Sequence, residues 1–486
     1  MLVLTKGVAV RTLLRVLSED QRAQVHERTL SILSSTGVQV DTVRGRAILE
    51  DAGADVDRST CIVRFPRTLV EESLRLAPKD FTLGARRSGW NLQMNSGDCT
   101  LLMDGEAMFV LDRETGEQRA GTFDDWLEAT RLTDALDEIG IYWNMIERSD
   151  CGNTVADLVA YWRHLFRNFS KHVQDGISSP EQAAWLLEVL QVVFGDKEAI
   201  RRRHPWSFLA CPQSPLIIDE KSTDAYLELL GWDIPLAVMP MPLMGVSGPG
   251  SLISTTVLGN CEMLAMLCLV QAGAAGTPFI FAPAQSMMNP RSGGYDAGAI
   301  EGGLLAAAAV EMARHYGLPV EASGMTTGHF IPGIQSANES SMIGLLATLA
   351  WPDILVGCGL MDGSMVLSLE QLLIDVETFR MCKRARQGIS VDDDKWLEDV
   401  IHRVGPGGHF LTESSTVQAL REGEMYISQL GWHDSFEAWE AAGRPTLLEE
   451  ASEKVRQILA THQPLPLDDD VERELDRIQK RAQIEA

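Results

Sequence analysis

The residues able to do chemistry in this 486-residue chain stand where short apolar runs end. Phe109, Tyr142, Trp143, Tyr295 and Phe330 all fall at or near such ends, where their ring faces can hold a quaternary ammonium by cation–π attraction or simply fill a core. Arg291 is the one base in APAQSMMNPRSGGYDAG, residues 282–298. A guanidinium there can grip a carboxylate with two parallel hydrogen bonds, or pair with Asp296 or Glu301. Glu321 sits inside an apolar run, where a carboxyl is costly without a partner or a purpose. His329 stands alone among glycines and apolar residues, open to either a ligand contact or a structural hydrogen bond.

Other chemistries lose weight. The sequence has no GxSxG elbow, phosphate-binding Walker loop, HExxH pair or clustered Cys/His with metal spacing. Its eight cysteines (Cys61, Cys99, Cys151, Cys211, Cys261, Cys268, Cys358, Cys382) form no CxxC pair. They read as small apolar side chains in a reducing compartment rather than as a disulfide framework or zinc site. No metal ligands are expected.

The elements that must position these residues alternate from about residue 100 onward. Apolar, strand-like runs cover Leu101–Leu111, Ile139–Ile146, His172–Ile177, Phe208–Gln213, Pro235–Met241, Pro278–Pro283, Leu318–Gly324 and Ile354–Leu360. Helical stretches follow them at Phe123–Leu136, Val155–Phe169, Pro180–Val193, Thr223–Leu230, Val257–Ala272, Ala299–Tyr316, Ala337–Ala350 and Leu369–Arg386. Thr122 and Ser179 are natural caps for two of them. Eight strand–helix units at a spacing of roughly 27–43 residues match the ~250 residues of a closed parallel barrel. An open doubly wound sheet would begin with a Gly-rich phosphate loop, and none follows the early strands.

The expected fold is therefore α/β, a (β/α)₈ TIM barrel over residues 99–390. A mixed, mainly helical extension precedes it (1–98), and a helical extension ending in the polar tail Leu447–Ile484 follows it (391–486). Barrel sites form at the carboxyl ends of the strands. The segments after the fifth to eighth strands, 239–252, 282–298, 323–340 and 357–371, are rich in Met, Pro and Gly and suggest a broad, soft-walled mouth.

A formal net charge of −26 argues against a nucleic-acid surface, which needs clustered Lys and Arg. Hydrophobic residues at 45% and charged residues at 23% describe a globular chain. The opening MLVLTKGVAV is too short an apolar stretch for a signal sequence. Leu264–Ala275 and Leu304–Val310 read as buried helix rather than membrane span. The expectation is a cytoplasmic protein.

With these residues laid out, the sequence resembles the trimethylamine methyltransferase (MttB) superfamily. The resemblance rests on Val25–Val40 followed by AGADVD, on VRFPRTLVEESLRLAPKDFTL, and on FVLDRETGEQRAGTFDDWLEATRLTDAL. It continues through MPMPLMG, MNPRSGGYDAGAIE, EMARHYGLP, MDGSMVLSLEQLLIDVE and the late GPGGHFL turn, in consistent order from about residue 20 to 480. It implies a barrel that transfers a methyl group from an amine to the Co(I) centre of a separate corrinoid protein.

The founding branch of that superfamily carries pyrrolysine in the loop after the seventh strand. Here the corresponding residues 324–335 read GMTTGHFIPGIQ, with His329 or Phe330 near its place and Gly333 where an Asp is usual. Trimethylamine is neutral and would have to expel a poor dialkylamide, so it needs that special residue. A quaternary amine leaves as a neutral tertiary amine and needs only desolvation and aiming.

The resemblance thus implies a quaternary amine methyltransferase of the non-pyrrolysine branch, with glycine betaine leading. The expected catalytic residues are His329, Glu321 and Gln335. The expected substrate-binding residues are Arg291, Tyr295, Phe330, Trp143, Asn144 and Phe109. Cobalamin, free or on a partner protein, is the expected methyl acceptor, with no tightly held cofactor, and the chain is expected to form a homo-oligomer. Two other readings stay open: a catalytically silent quaternary-amine-binding protein, and an enzyme for carnitine, proline betaine, choline or a methylated sulfur compound.

Overall fold

The computed structural model describes residues 12–485, so the opening MLVLTKGVAV lies outside the described residues. Eight short strands form one parallel sheet: β1 Thr100–Met103, β2 Ile139–Tyr142, β3 His172–Asp175, β4 Trp206–Ala210, β5 Leu236–Val238, β6 Phe279–Phe281, β7 Glu321–Ser323 and β8 Ile354–Cys358. Each except β6 pairs with the next in chain order, and β8 pairs with β1. A parallel bridge between Phe281 and Val320 joins β6 to β7 and closes the (β/α)₈ barrel.

The outer helices are α1 Phe123–Ala135, α2 Val155–Asn168, α3 Pro180–Phe194, α4 Glu220–Leu227, α5 Leu252–Gly273, α6 Ile300–Tyr316, α7 Ile334–Leu349 and α8 Leu369–Gln387. Thr122 caps α1 in a reciprocal box with Asp125, and Ser179 caps α3 ahead of Pro180. Fifteen of the sixteen elements fall where the alternation puts them, with ends shifted by at most five residues.

One run is corrected. Leu101–Leu111 is not a single strand, because Asp104-Gly105-Glu106 interrupts the apolar pattern after β1. Phe109–Leu111 instead joins Gln118–Ala120, Val366–Leu367 and Leu360–Met361 in a separate four-stranded sheet on the rim.

The residues ahead of the barrel do more than flank it. Three of their helices, Glu19–Ser35, Val43–Asp51 and Arg67–Leu76, pack on α5. This helix is long and apolar enough to cross a membrane by composition, yet 89% of its most apolar stretch is buried inside the protein. The hairpin Thr82–Leu83/Leu92–Gln93 closes the barrel floor, with Phe81, Leu83 and Met94 packed against inward side chains such as Leu102, Ile141 and Ile280. His172 Nδ1 lies 2.9 Å from the Gly84 carbonyl and fixes the hairpin to the start of β3.

The polar tail is two helices. Leu447–Thr461 packs on α8 and α1, and Asp469–Glu485 packs on α2 and α3. Pro464 and Pro466, which cannot continue a helix, lie in the break between them.

Candidate active site

A cleft of about 1120 Å³ opens at the carboxyl ends of β1 to β4. Its walls include Glu106, Trp143, Arg148, Tyr161, Asp175 and Cys211. Strand direction explains the set: Asp175 is the last residue of β3, and the others beyond α2's Tyr161 come from the segments that leave β1, β2 and β4.

A chain of hydrogen bonds runs along one wall. Asp175 accepts from Tyr161 Oη at 2.8 Å and from its own neighbour Gly176 N at 2.8 Å. Tyr161 and Tyr142 share a contact at 3.0 Å, and Trp126 Nε1 donates to Tyr142 Oη at 2.7 Å. Asn144 Oδ1 lies 3.3 Å from Tyr142 Oη, and its Nδ2 donates to Glu106 Oε1 at 2.7 Å. Burial, reinforced by the Glu106 charge, pushes Asp175 up to about 7. Glu106 is also raised by burial, although its surface is open to solvent. A carboxyl in a concave wall can be touched by water yet poorly hydrated by it, so the crowded surroundings decide its protonation. The Cys211 thiol behaves alike: it is exposed to the cleft but pushed up to about 12 by burial, and holds its proton.

More carboxyls lie deeper and to the side. Glu321 on β7 is fully buried. Its Oε2 accepts from Gln174 Nε2 at 2.9 Å, while Oε1 has no partner, and burial pushes the group up to about 7. Ser207 Oγ lies 3.2 Å from Gln174 Oε1 and 2.9 Å from His172 Nε2, so a polar string crosses an otherwise apolar barrel. Burial holds His172 down at about 3, uncharged. Asp104, just past β1, accepts from Gly105 N at 3.0 Å and from Ser364 Oγ, and burial pushes it up to about 6. Of these carboxyls, Asp175 is raised by repulsion from a neighbour, Glu106, as well as by burial, and a cation between the two would relieve that repulsion.

The expected site residues separate into groups. Trp143 is half-buried in the cleft wall, and Asn144 is buried in the chain just described. Phe109 is half-buried in the rim sheet. Tyr295 belongs to the small sheet after β6, and its ring lies against Gly363. That glycine has φ +62°, and a Cβ there would come within 3.0 Å of the ring, so both backbone and space require glycine.

His329 is half-buried, and its Nδ1 accepts from Phe330 N at 2.7 Å and, weakly, from Ile331 N at 3.4 Å, which assigns the ring proton to Nε2. Phe330 is 63% exposed. Gln335 is exposed and donates to Glu339 Oε1 at 2.8 Å. Arg291 stands on an exposed turn, where its backbone N–H is held by Asn289 Oδ1 at 2.9 Å. None of these last four lines the cleft.

The loop after β7 is firmly held. Glu339 Oε2 accepts from Thr327 Oγ1 at 2.6 Å and from Gly328 N at 3.0 Å. Asp362 N and Gly363 N donate to the carbonyls of His329 and Thr327 at 2.9 and 3.1 Å. The cleft residues that the sequence reading missed are Glu106, Arg148, Tyr161 and Asp175. Asp175 carried a signal, a carboxylate closing an apolar run, of the kind that marked Glu321. Among the described residues, no group of three or more His, Cys, Asp or Glu is arranged to hold a metal.

The family profile described as trimethylamine methyltransferase (MTTB) matches residues 5–485. The chain is 29% identical over 450 residues to trimethylamine methyltransferase MttB of Desulfitobacterium hafniense, covering 93% of this chain and 90% of that one. It is 28% identical over 462 residues to a glycine betaine methyltransferase of the same species, covering 95% of each. Among solved structures, monomethylamine methyltransferase of Methanosarcina barkeri aligns with a TM-score of 0.47 at 10% identity, over 96% of this chain and 92% of that one.

Proposed function

The chain belongs to the trimethylamine methyltransferase family, and from that premise we propose that it moves a methyl group from a small quaternary amine to the Co(I) centre of a separate corrinoid protein. The observation that carries this reading is the open cleft at the strand ends, walled by carboxyls and by the Trp143 ring. Once ionised, these carboxyls attract a cation, whose arrival in turn favours their charged form, and an aromatic face takes it from water. The methyl carbon gains its new bond from cobalt's electron pair, the C–N pair stays on nitrogen, and a neutral tertiary amine departs. No proton moves, so the protein has only to desolvate the cation and aim one methyl outward.

In this reading Trp143 and Asn144 belong to the cation's wall, and Glu321 supplies charge from below. His329, whose Nε2–H is not engaged in any hydrogen bond found among the described residues, acts with Phe330, Tyr295 and Gln335 from the far lip. Phe109 supports the rim. Glycine betaine leads as substrate, because residues 324–335 hold only ordinary side chains and one relative is a glycine betaine methyltransferase. Carnitine, proline betaine and choline are the alternatives. Met241, Val246, Phe330, Ile331 and Ile334 stand exposed around the lip and suit a large apolar partner such as the corrinoid carrier.

Self-association has separate support. Among the large hydrophobic residues of 389–448 only Val400 and Leu430 are buried, while Ile389, Trp396, Ile401, Leu411, Ile427 and Phe436 are exposed. A constant partner is needed to cover so much apolar surface, and a second copy of the chain is always present.

Incubation with Co(I) cobalamin and a panel of methylated amines, followed through the cobalt absorption change, tests the reaction. Conversion with a betaine and little with trimethylamine is the expected result. Trimethylamine consumed as fast as any betaine would sink the leaving-group argument.

A further inference from the structure

Arg148 leaves β2 at the cleft wall, and its guanidinium carbon lies 4.1 Å from the centre of the Tyr161 ring and 5.6 Å from that of Trp126. Tyr161 is itself fixed by Asp175 and Tyr142, so the guanidinium rests on a rigid platform. Its backbone carbonyl accepts from Cys151 N at 3.1 Å, yet no ion pair or hydrogen bond to the Arg148 guanidinium is found among the described residues, and its Nη1 is closed off from water with no acceptor. Glu106 and Asp175 feel its charge but stand beyond ion-pair distance.

That arrangement is not explained by packing. A stack on an aromatic face is worth about 0.5–2 kcal/mol, and an apolar side chain of similar length would fill the same space. A guanidinium has five N–H donors. Leaving a charged donor buried and unmatched costs roughly as much as the stack returns, or more. Arg148 also lines the cleft, so the donors on its open side are in place for an acceptor that arrives with the ligand.

The acceptor's chemistry follows from its neighbours. The same cleft presents carboxyls at Glu106 and Asp175 and a ring at Trp143, all suited to an ammonium. We infer that Arg148 is the carboxylate-binding residue of this site, and that the cleft selects zwitterionic quaternary amines, in which ammonium and carboxylate are joined by a short linker, over simple cations. This rests on the methyl-transfer reading above and narrows its substrate class. Arg291, the other arginine suited to the task, stands on an exposed turn outside the cleft. A carboxylate held by Arg148, with the ammonium held by the cleft wall, would anchor the ligand at both charged ends and so orient its methyl groups.

The test measures direct binding of glycine betaine and of choline, together with kcat and KM for methyl transfer to Co(I) cobalamin, in wild type, Arg148→Met, Arg148→Lys and Arg291→Met. Arg148→Met keeps the length of the stacked side chain, and Arg148→Lys keeps the charge but not the fork. The expected result is a loss of betaine affinity of ten- to a hundredfold in Arg148→Met. A smaller loss is expected in Arg148→Lys, with choline changed less than threefold in either. Equal losses on betaine and choline, no loss at all, or a betaine-selective loss only in Arg291→Met would each overturn the assignment. Wild type that turns over choline but not betaine overturns this inference while leaving methyl transfer standing. Wild type that binds neither overturns both.

Discussion

Glu321 should be a residue whose neutral replacement gains stability on wild type as pH rises and lowers activity. Its carboxyl is fully buried, with one oxygen on Gln174 and the other without a partner. Burial carries it from an ordinary 4.5 to about 7, which at 1.36 kcal/mol per pH unit corresponds to roughly 3 kcal/mol. The sign follows from linkage: a carboxyl harder to ionise when folded costs nothing below its unfolded value. Its penalty builds as pH rises from about 4.5 to 7 and then stays constant. Glu321→Gln removes that penalty and adds a different one, an amide without a partner where Oε1 stood, worth about 1–3 kcal/mol at every pH. The variant should therefore be no more stable than wild type at pH 5 and should gain roughly 2–3 kcal/mol on it by pH 8. Denaturant unfolding of both proteins at the two pH values reads this directly. If the carboxylate faces a substrate ammonium at ~5 Å, an effective dielectric of about 20 makes the lost attraction about 3 kcal/mol, so methyl transfer should fall up to a hundredfold. Stability curves that run parallel from pH 5 to 8, with activity intact, would refute the reasoning and leave Glu321 as a structural partner of Gln174.

Three further outcomes are expected. With Asp104 pushed up to about 6 and Asp175 to about 7 by burial, the KM for a quaternary cation should fall as pH rises from 5.5 to 8, and Asp175→Asn should flatten the upper part; a KM constant across that range counts against the carboxyl wall. Glu339→Ala frees Thr327 Oγ1 and Gly328 N and, at about 1.5–3 kcal/mol for a hydrogen bond to a charged group, should loosen the loop after β7. Amide exchange at residues 325–333 should quicken, and methyl transfer to a corrinoid protein should drop more than transfer to free cobalamin; unchanged exchange would show that the brace is not needed. Ile401→Glu combined with Leu411→Glu should shrink the assembly seen by sedimentation, and an assembly of unchanged size would remove residues 389–448 from the subunit interface.

The fold was legible because its signals are local. Parallel strands buried on both faces give continuous apolar runs, and caps such as Thr122 and Ser179 mark where helices start. The floor hairpin at Thr82–Gln93 was not legible. Its strands are two residues each, too short for any periodicity, and they owe their form to the barrel they close. The break in the tail was written in Pro464 and Pro466, though a helical composition on both sides masked it.

The site was less legible, since what makes it is convergence of segments far apart in the chain. Tyr161 looked like one more apolar residue of α2, and only the fold brings it beneath Arg148 and beside Asp175. Asp175 could have been found by the reasoning that picked out Glu321, because a carboxylate ending an apolar run is expensive wherever it occurs. Arg148 could not. In sequence it stands in ERSDC, a charged stretch that reads as a solvated turn, and its meaning comes from the acceptor it lacks. A partner that is present leaves a pattern in the sequence more readily than one that is missing. The cleft's most specific feature, a stacked guanidinium held ready beside two carboxyls, is therefore the one that only a three-dimensional account of every donor and acceptor can supply.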